Sequence, residues 1–126
     1  MLINSSRKYY KEGDSLVLDL GAYTAALEYA CDLQAVIMGK PCKDYFGKAI
    51  DSMNLKFENT VMIGDDINSD VGGAQKCGLR GILVRTGKFR KSDENHPNIK
   101  PDAIVDNLFS AVDHILEANN DHNTKS

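Results

Sequence analysis

The stretch VMIGDDINSD, Val61 to Asp70, packs three carboxylates into six residues directly behind a short apolar run and a glycine. The run reads as a buried strand. Ser69 to Cys77 then places Val71, Ala74 and Cys77 on one helical face. A strand that passes through a charged turn into a helix is one unit of an α/β fold. Whether such units repeat on either side decides the architecture.

They repeat. Upstream, LQAVIMG (Leu33 to Gly39) is an apolar run ending in glycine, which predicts another buried strand, and Pro41 permits a helix start just beyond it. In KDYFGKAIDSM the apolar residues Tyr45, Phe46, Ala49, Ile50 and Met53 fall at spacings of three and four, the pattern of an amphipathic helix. Downstream, RGILVRTG (Arg80 to Gly87) holds a third strand around Ile82 to Val84, and DAIVD (Asp102 to Asp106) holds a fourth. Asp106 or Asn107 can cap a last helix whose face is Leu108, Val112, Ile115 and Leu116. From Leu33 onward the order is β-α-β-α-β-loop-β-α, half or more of a doubly wound, Rossmann-like parallel sheet. Ahead of it, SLVLDL (Ser15 to Leu20) reads as a short extended segment and GAYTAALEYA (Gly21 to Ala30) as an alanine-rich helix. The polar end NNDHNTKS, from Asn119, is expected to be disordered. No internal repeat is present.

Doubly wound sheets bind ligands at the carboxyl ends of their strands. Two strands here end in loaded turns, Gly39-Lys40-Pro41 and Gly64-Asp65-Asp66. Adjacent carboxylates repel one another, and a hard divalent cation relieves that repulsion. Mg²⁺ suits such a turn, because it keeps several waters and takes only one or two carboxylates plus a phosphate. Asp65, nearest the strand end, is the metal-ligand candidate. Asp66 and Asp70 fit either auxiliary ligands or caps of the following helix. Lys40 can hold a phosphate oxygen or offset the acidic residues; an ordinary surface lysine is the plainer alternative. Both turns are expected to open onto one edge of one sheet.

Rival motifs fail on spacing. Counting Asp66 as position one of a calcium loop puts Val71 where glycine is required and Cys77 where glutamate is required. Around TGKF, Gly81 and Gly87 are one residue too far apart for a P-loop, and Phe89 stands where Ser or Thr should follow the lysine. GxGxxG is absent. His96, His114 and His122 have no ligand spacing and are read as incidental. The three cysteines, Cys31, Cys42 and Cys77, form neither a disulfide framework nor a zinc site, so a reducing, cytoplasmic (and nuclear) setting is expected. Cys77 is expected as a small core residue. The 126 residues suffice for one modest domain, and a net charge of −3 argues against nucleic acid as a partner. The one basic cluster, RTGKFRK (Arg85 to Lys91), meets acidic residues at once and reads as a solvated loop. No apolar run reaches the roughly 20 residues needed to cross a bilayer, and MLINSSRKYY lacks the apolar core of a secretory signal.

GKP (Gly39 to Pro41) and VMIGDDINSDVGGAQKCGLRGILVRTGKFR (Val61 to Arg90) resemble the third and fourth motifs of the haloacid dehalogenase-like (HAD) phosphatases, and SDENHPNIKPDAIVDNLFSAVDHIL (Ser92 to Leu116) is similar to their subfamily with a C2-type cap. RKYYKEGDSLVLDLGAYTAALEYA (Arg7 to Ala30) resembles the end of that cap. The resemblance implies a cap remnant over 1–33, the C-terminal half of the hydrolase core over 34–118, and a tail over 119–126. It also implies hydrolysis of phosphohistidine, phospholysine or inorganic pyrophosphate, with an aspartate nucleophile that becomes an aspartyl-phosphate, a second aspartate as acid and base, and Mg²⁺. On that pattern Asp65 is the magnesium ligand, Lys40 holds phosphate and nucleophile together, and Asp66 and Asp70 are auxiliary or supporting residues. Caps in this group often mediate dimers, which implies a homodimer.

The pattern also has a departure. The family's DxDGT-type first motif and its Ser/Thr/Asn second motif have no counterpart here; DSLVLD (Asp14 to Asp19) lacks the DxD spacing. The chain is therefore expected to carry no catalytic aspartate of its own and to show no useful turnover in isolation. Two readings stand: the second half of a Mg²⁺-dependent phosphatase site, or a non-catalytic binding or regulatory module with an open sheet edge. A phospho-receiver domain is disfavoured, because there the acidic pair precedes the lysine.

Overall fold

A computed structural model gives the structure of residues 2–3 and 8–123, with side chains described for 8–10 and 12–120. The chain alternates strands and helices through its larger part, as the sequence predicts. Strands β5 (Val61–Gly64), β6 (Arg80–Val84) and β7 (Ala103–Val105) form a parallel sheet in the order β5-β6-β7. Ile63 lies opposite Ile82, and Leu83 opposite Ile104. Such parallel strands need covered faces, and the helices supply the cover.

Helix α2 (Lys43–Ser52) buries Phe46 and Ile50. These pack with Ala74 and Leu79, and Cys77 lies against the same cluster, half-buried as the sequence predicts for a small core residue. Tyr45 and Met53, expected on the inward face, are instead exposed, because the buried stripe of α2 is one residue wide, at i and i+4. The opposite layer is α4 (Leu108–Asn123), whose Ala111 and Ile115 pack on Ile82 and Val84. The expected face is corrected here: Leu108, Val112 and Leu116 are exposed, and the small Ala111 lets the helix sit close to the sheet. Of the two capping candidates, Asn107 acts, its Oδ1 accepting from Ser110 N at 3.0 Å. Helix α4 runs to Asn123, and 124–126 of the polar end lie outside the described residues.

Between β5 and β6 the helix begins irregularly. Ile67–Gly72 winds as a π-type turn, in which the Asp66 carbonyl accepts from both Asp70 N and Val71 N, before α3 (Gly73–Lys76) tightens to regular helix. Ile67, Val71 and Leu83 form the cluster beneath this turn. Wide turns of this kind are frequent at functional sites.

The N-terminal part is a separate layer. Strands β2 (Tyr9–Glu12) and β3 (Ser15–Leu18) form an antiparallel hairpin, followed by α1 (Leu20–Cys31). No side chain of α1 is buried. Strand β4 (Val36–Ile37) is shorter than the predicted Leu33 to Gly39 run and pairs in parallel with β1 (Leu2–Ile3), not with β5. Leu33 and Val36 are exposed, so the expectation of a buried strand there is corrected. Its apolar side chains have too little packed against them to remove them from water. Among the described residues, no strand pairs with the outer edge of β5.

Candidate active site

The two loaded turns meet, though not by the route the sequence suggests. β4 and β5 are not hydrogen-bonded neighbours. Contact is made instead by side chains and by the start of the following helix. Pro41 seats against Gly73, where an added Cβ would lie 2.8 Å from Pro41 Cβ and 3.0 Å from a Phe46 ring carbon. The Lys40–Pro41 peptide is cis. Lys40 Nζ then donates to Asp70 Oδ1 at 2.7 Å.

Asp70 is the buried member of that pair; its side chain is 5% exposed against 38% for Lys40. Its second oxygen accepts from Asp66 N at 3.2 Å. Gly64 makes room for it, since a Cβ at residue 64 would overlap the Asp70 carboxylate. One carboxylate thus fixes the lysine of the first turn and the backbone of the second. The hydrogen bond to Asp70 raises the Lys40 ammonium above the ordinary lysine value of 10.5; partial burial opposes this, and the charges of Asp70, Tyr45 and Asp65 add to it. Lys40 is therefore a fixed cation at the end of the sheet.

Asp66 caps the π-type turn: its Oδ1 accepts from Asn68 N at 3.1 Å and Ser69 N at 3.0 Å. Asp65, at the end of β5, is half-buried, and its Oδ2 accepts from Lys88 N at 2.8 Å. The partner of Asp65 lies in the turn after β6, in the cluster read from sequence only as a solvated loop. A glycine and lysine following a strand end was the available signal. Further along the same loop, His96 Nδ1 accepts from Asn98 N and Ile99 N, so this histidine shapes the loop rather than being incidental. Arg85 is held by Glu94 and Asp106, both at 2.8 Å.

The donors fit a hard cation only in part. Asp65 offers carboxylate oxygen at a strand end, the chemistry Mg²⁺ prefers, while Asp70 is engaged by Lys40 and Asp66 by its cap. Among the described residues, no group of three or more His, Cys, Asp or Glu side chains encloses a metal site. The arrangement sets an ammonium and a carboxylate side by side, able to hold an anion and a cation together.

Comparison with known proteins identifies the family. A family model described as HAD-hydrolase-like matches residues 37–111. The chain is 55% identical over 109 residues to the phospholysine phosphohistidine inorganic pyrophosphate phosphatase of Danio rerio, an alignment covering 86% of this chain and 40% of that protein. Among solved structures, a 4-nitrophenylphosphatase from Thermotoga maritima superposes with a TM-score of 0.72 at 27% identity, over 82% of this chain and 40% of that one. A glycerol phosphate phosphatase from Mycobacterium tuberculosis, in complex with magnesium, gives 0.70 at 25% identity, over 84% and 32%. The chain thus spans well under half the length of these relatives.

Proposed function

This chain belongs to the HAD-like hydrolases, and from that premise we propose that it carries the lysine and metal-ligand half of a Mg²⁺-dependent phosphatase site acting on phosphohistidine, phospholysine or inorganic pyrophosphate. The observation that carries the reading is the Lys40–Asp70 ion pair, whose carboxylate also accepts from Asp66 N in the turn that holds Asp65. In this proposal Lys40 holds a phosphate oxygen, and Asp70 keeps the ammonium charged and aimed. Asp65 is the protein's ligand to Mg²⁺, which when bound supplies charge neutralisation for phosphoryl transfer. Asp66 holds the turn that carries Asp65. The nucleophilic aspartate, which would become the aspartyl-phosphate, and the acid/base aspartate come from residues outside these 126. The outer edge of β5, which no strand among the described residues pairs, suits a strand that would bring them.

Purified chain, assayed with Mg²⁺ and pyrophosphate or a phosphomonoester, is expected to show no turnover above buffer. Turnover lost in Lys40→Ala and Asp65→Asn would place a nucleophile within the chain and keep the site. Turnover surviving both substitutions would overturn the site itself.

Exposed apolar residues on the hairpin and α1 (Leu16, Leu18, Tyr23, Leu27 and Tyr29) favour a second role for that layer, as a contact surface for a second copy. The cysteines are free, which suits a reducing compartment; the proposal places the protein in the cytoplasm and nucleus. No helix among the described residues is long and apolar enough to cross a membrane.

A further inference from the structure

The turn after β6 bonds the carboxylate of Asp65 through the Lys88 amide. Thr86 O accepts from Phe89 N at 3.0 Å, closing the turn. Val84 on one side is buried in the sheet, and Phe89 on the other packs against Ile67, Val71 and Leu83, beneath the π-type turn. Both ends of the turn are therefore anchored. Its tip is Gly87, at φ +51°, a left-handed conformation that side-chain-bearing residues other than Asn and Asp seldom adopt. Space matters as much as conformation. A Cβ on Gly87 would overlap Asp65 Oδ2, the oxygen that accepts from Lys88 N.

We propose that the Thr86–Phe89 turn is a positioning clamp for Asp65: the Lys88 amide takes Oδ2, the bare Gly87 lets the carboxylate approach, and Oδ1 is left as the oxygen offered to a cation. This inference rests on the reading of Asp65 as the metal ligand. The clamp explains how a carboxylate bonded to no cationic side chain among the described residues holds one orientation. A neutral backbone N–H fixes it without consuming its charge, whereas a lysine there would compete with the cation. Asp65 would accordingly bind through one oxygen, the mode in which Mg²⁺ keeps most of its waters.

The test uses the chain as it is, with ¹⁵N amide spectra, amide hydrogen exchange and Mn²⁺ as a paramagnetic probe. Mn²⁺ is expected to broaden residues around Asp65 first, and Asp65→Asn is expected to abolish that. If wild-type signals there do not broaden, or still broaden in Asp65→Asn, the metal-ligand reading fails. The clamp is judged separately, without metal: in Asp65→Ala the Lys88 amide is expected to exchange about 10-fold faster or more, since it loses its acceptor. Gly87→Asn keeps a residue that tolerates positive φ but adds the Cβ, and is expected to weaken Mn²⁺ about 10-fold with little change in Tm. Gly78→Ala is the control for backbone strain alone, because Gly78 has φ +87° and open space around it; its Mn²⁺ affinity should equal wild type. Unchanged Lys88 exchange in Asp65→Ala, or unchanged Mn²⁺ affinity in Gly87→Asn, overturns the clamp while leaving the ligand reading standing. If Gly87→Asn does not fold, the exchange result decides alone.

Discussion

Asp70 is where the local energetics concentrate. Its carboxylate is buried, accepts from both Lys40 Nζ and Asp66 N, and fills space that Gly64 leaves open. Lys40→Met strands that carboxylate without its cation and is expected to cost roughly 1–3 kcal/mol in urea unfolding. The pH dependence has a definite sign. Because folding raises the Lys40 pKa, the stability it contributes is complete below the ordinary lysine value of 10.5 and is lost as pH rises through the folded value. The gap between wild type and Lys40→Met should hold steady from neutral to mildly alkaline pH and close above 10.5; a gap that stays open there would mean that the ammonium is not responsible. The residue types at this site were legible in the sequence, since an acidic turn behind a strand has few uses. Their partners were not. That Asp70 would take the lysine while Asp65 took a backbone amide 23 residues downstream depends on side-chain directions in three dimensions, which spacing does not encode.

At the level of elements, the parallel sheet and its helices follow from apolar runs of the expected lengths, and β5, β6, β7, α2 and α4 lie where periodicity puts them. Faces were read less well. Leu108, Val112, Ile115 and Leu116 satisfy a helical stripe, yet of these it is Ile115, joined by Ala111, that packs on the sheet. A broad stripe of apolar residues constrains a helix's rotation only to within about a quarter turn, and close packing at a small residue settles the remainder. Two substitutions separate these possibilities. Leu83→Ala, at a fully buried position in β6, is expected to cost roughly 2–5 kcal/mol. Phe109→Ala, on the exposed side of α4, should lie within about 0.5 kcal/mol of wild type. Comparable losses for the two would mean that α4 sits on the sheet by another face.

For the whole molecule, the contrast is between a packed C-terminal layer and an N-terminal layer rich in exposed Tyr and Leu. That surface should bind a hydrophobic dye and drive association, seen as a concentration-dependent mass in sedimentation; Leu16→Glu with Tyr29→Glu should reduce both. A monomer that binds no dye would contradict it. The exposure of β4 and the β5 edge that no strand pairs belong to the same picture, because among the described residues neither has enough around it to be covered. LQAVIMG reads as core from composition alone, yet Leu33 and Val36 are exposed. The most direct measurement joins the chain to what the proposal says it works with. In a chimera, these residues replace the matching part of the Danio rerio relative, and pyrophosphate hydrolysis is followed with Mg²⁺. Expected is metal-dependent hydrolysis that falls about 100-fold or more in Lys40→Ala and in Asp65→Asn. A folded chimera without hydrolysis, or hydrolysis that survives both substitutions, would contradict the assignment of Lys40 and Asp65 to a phosphoryl-transfer site.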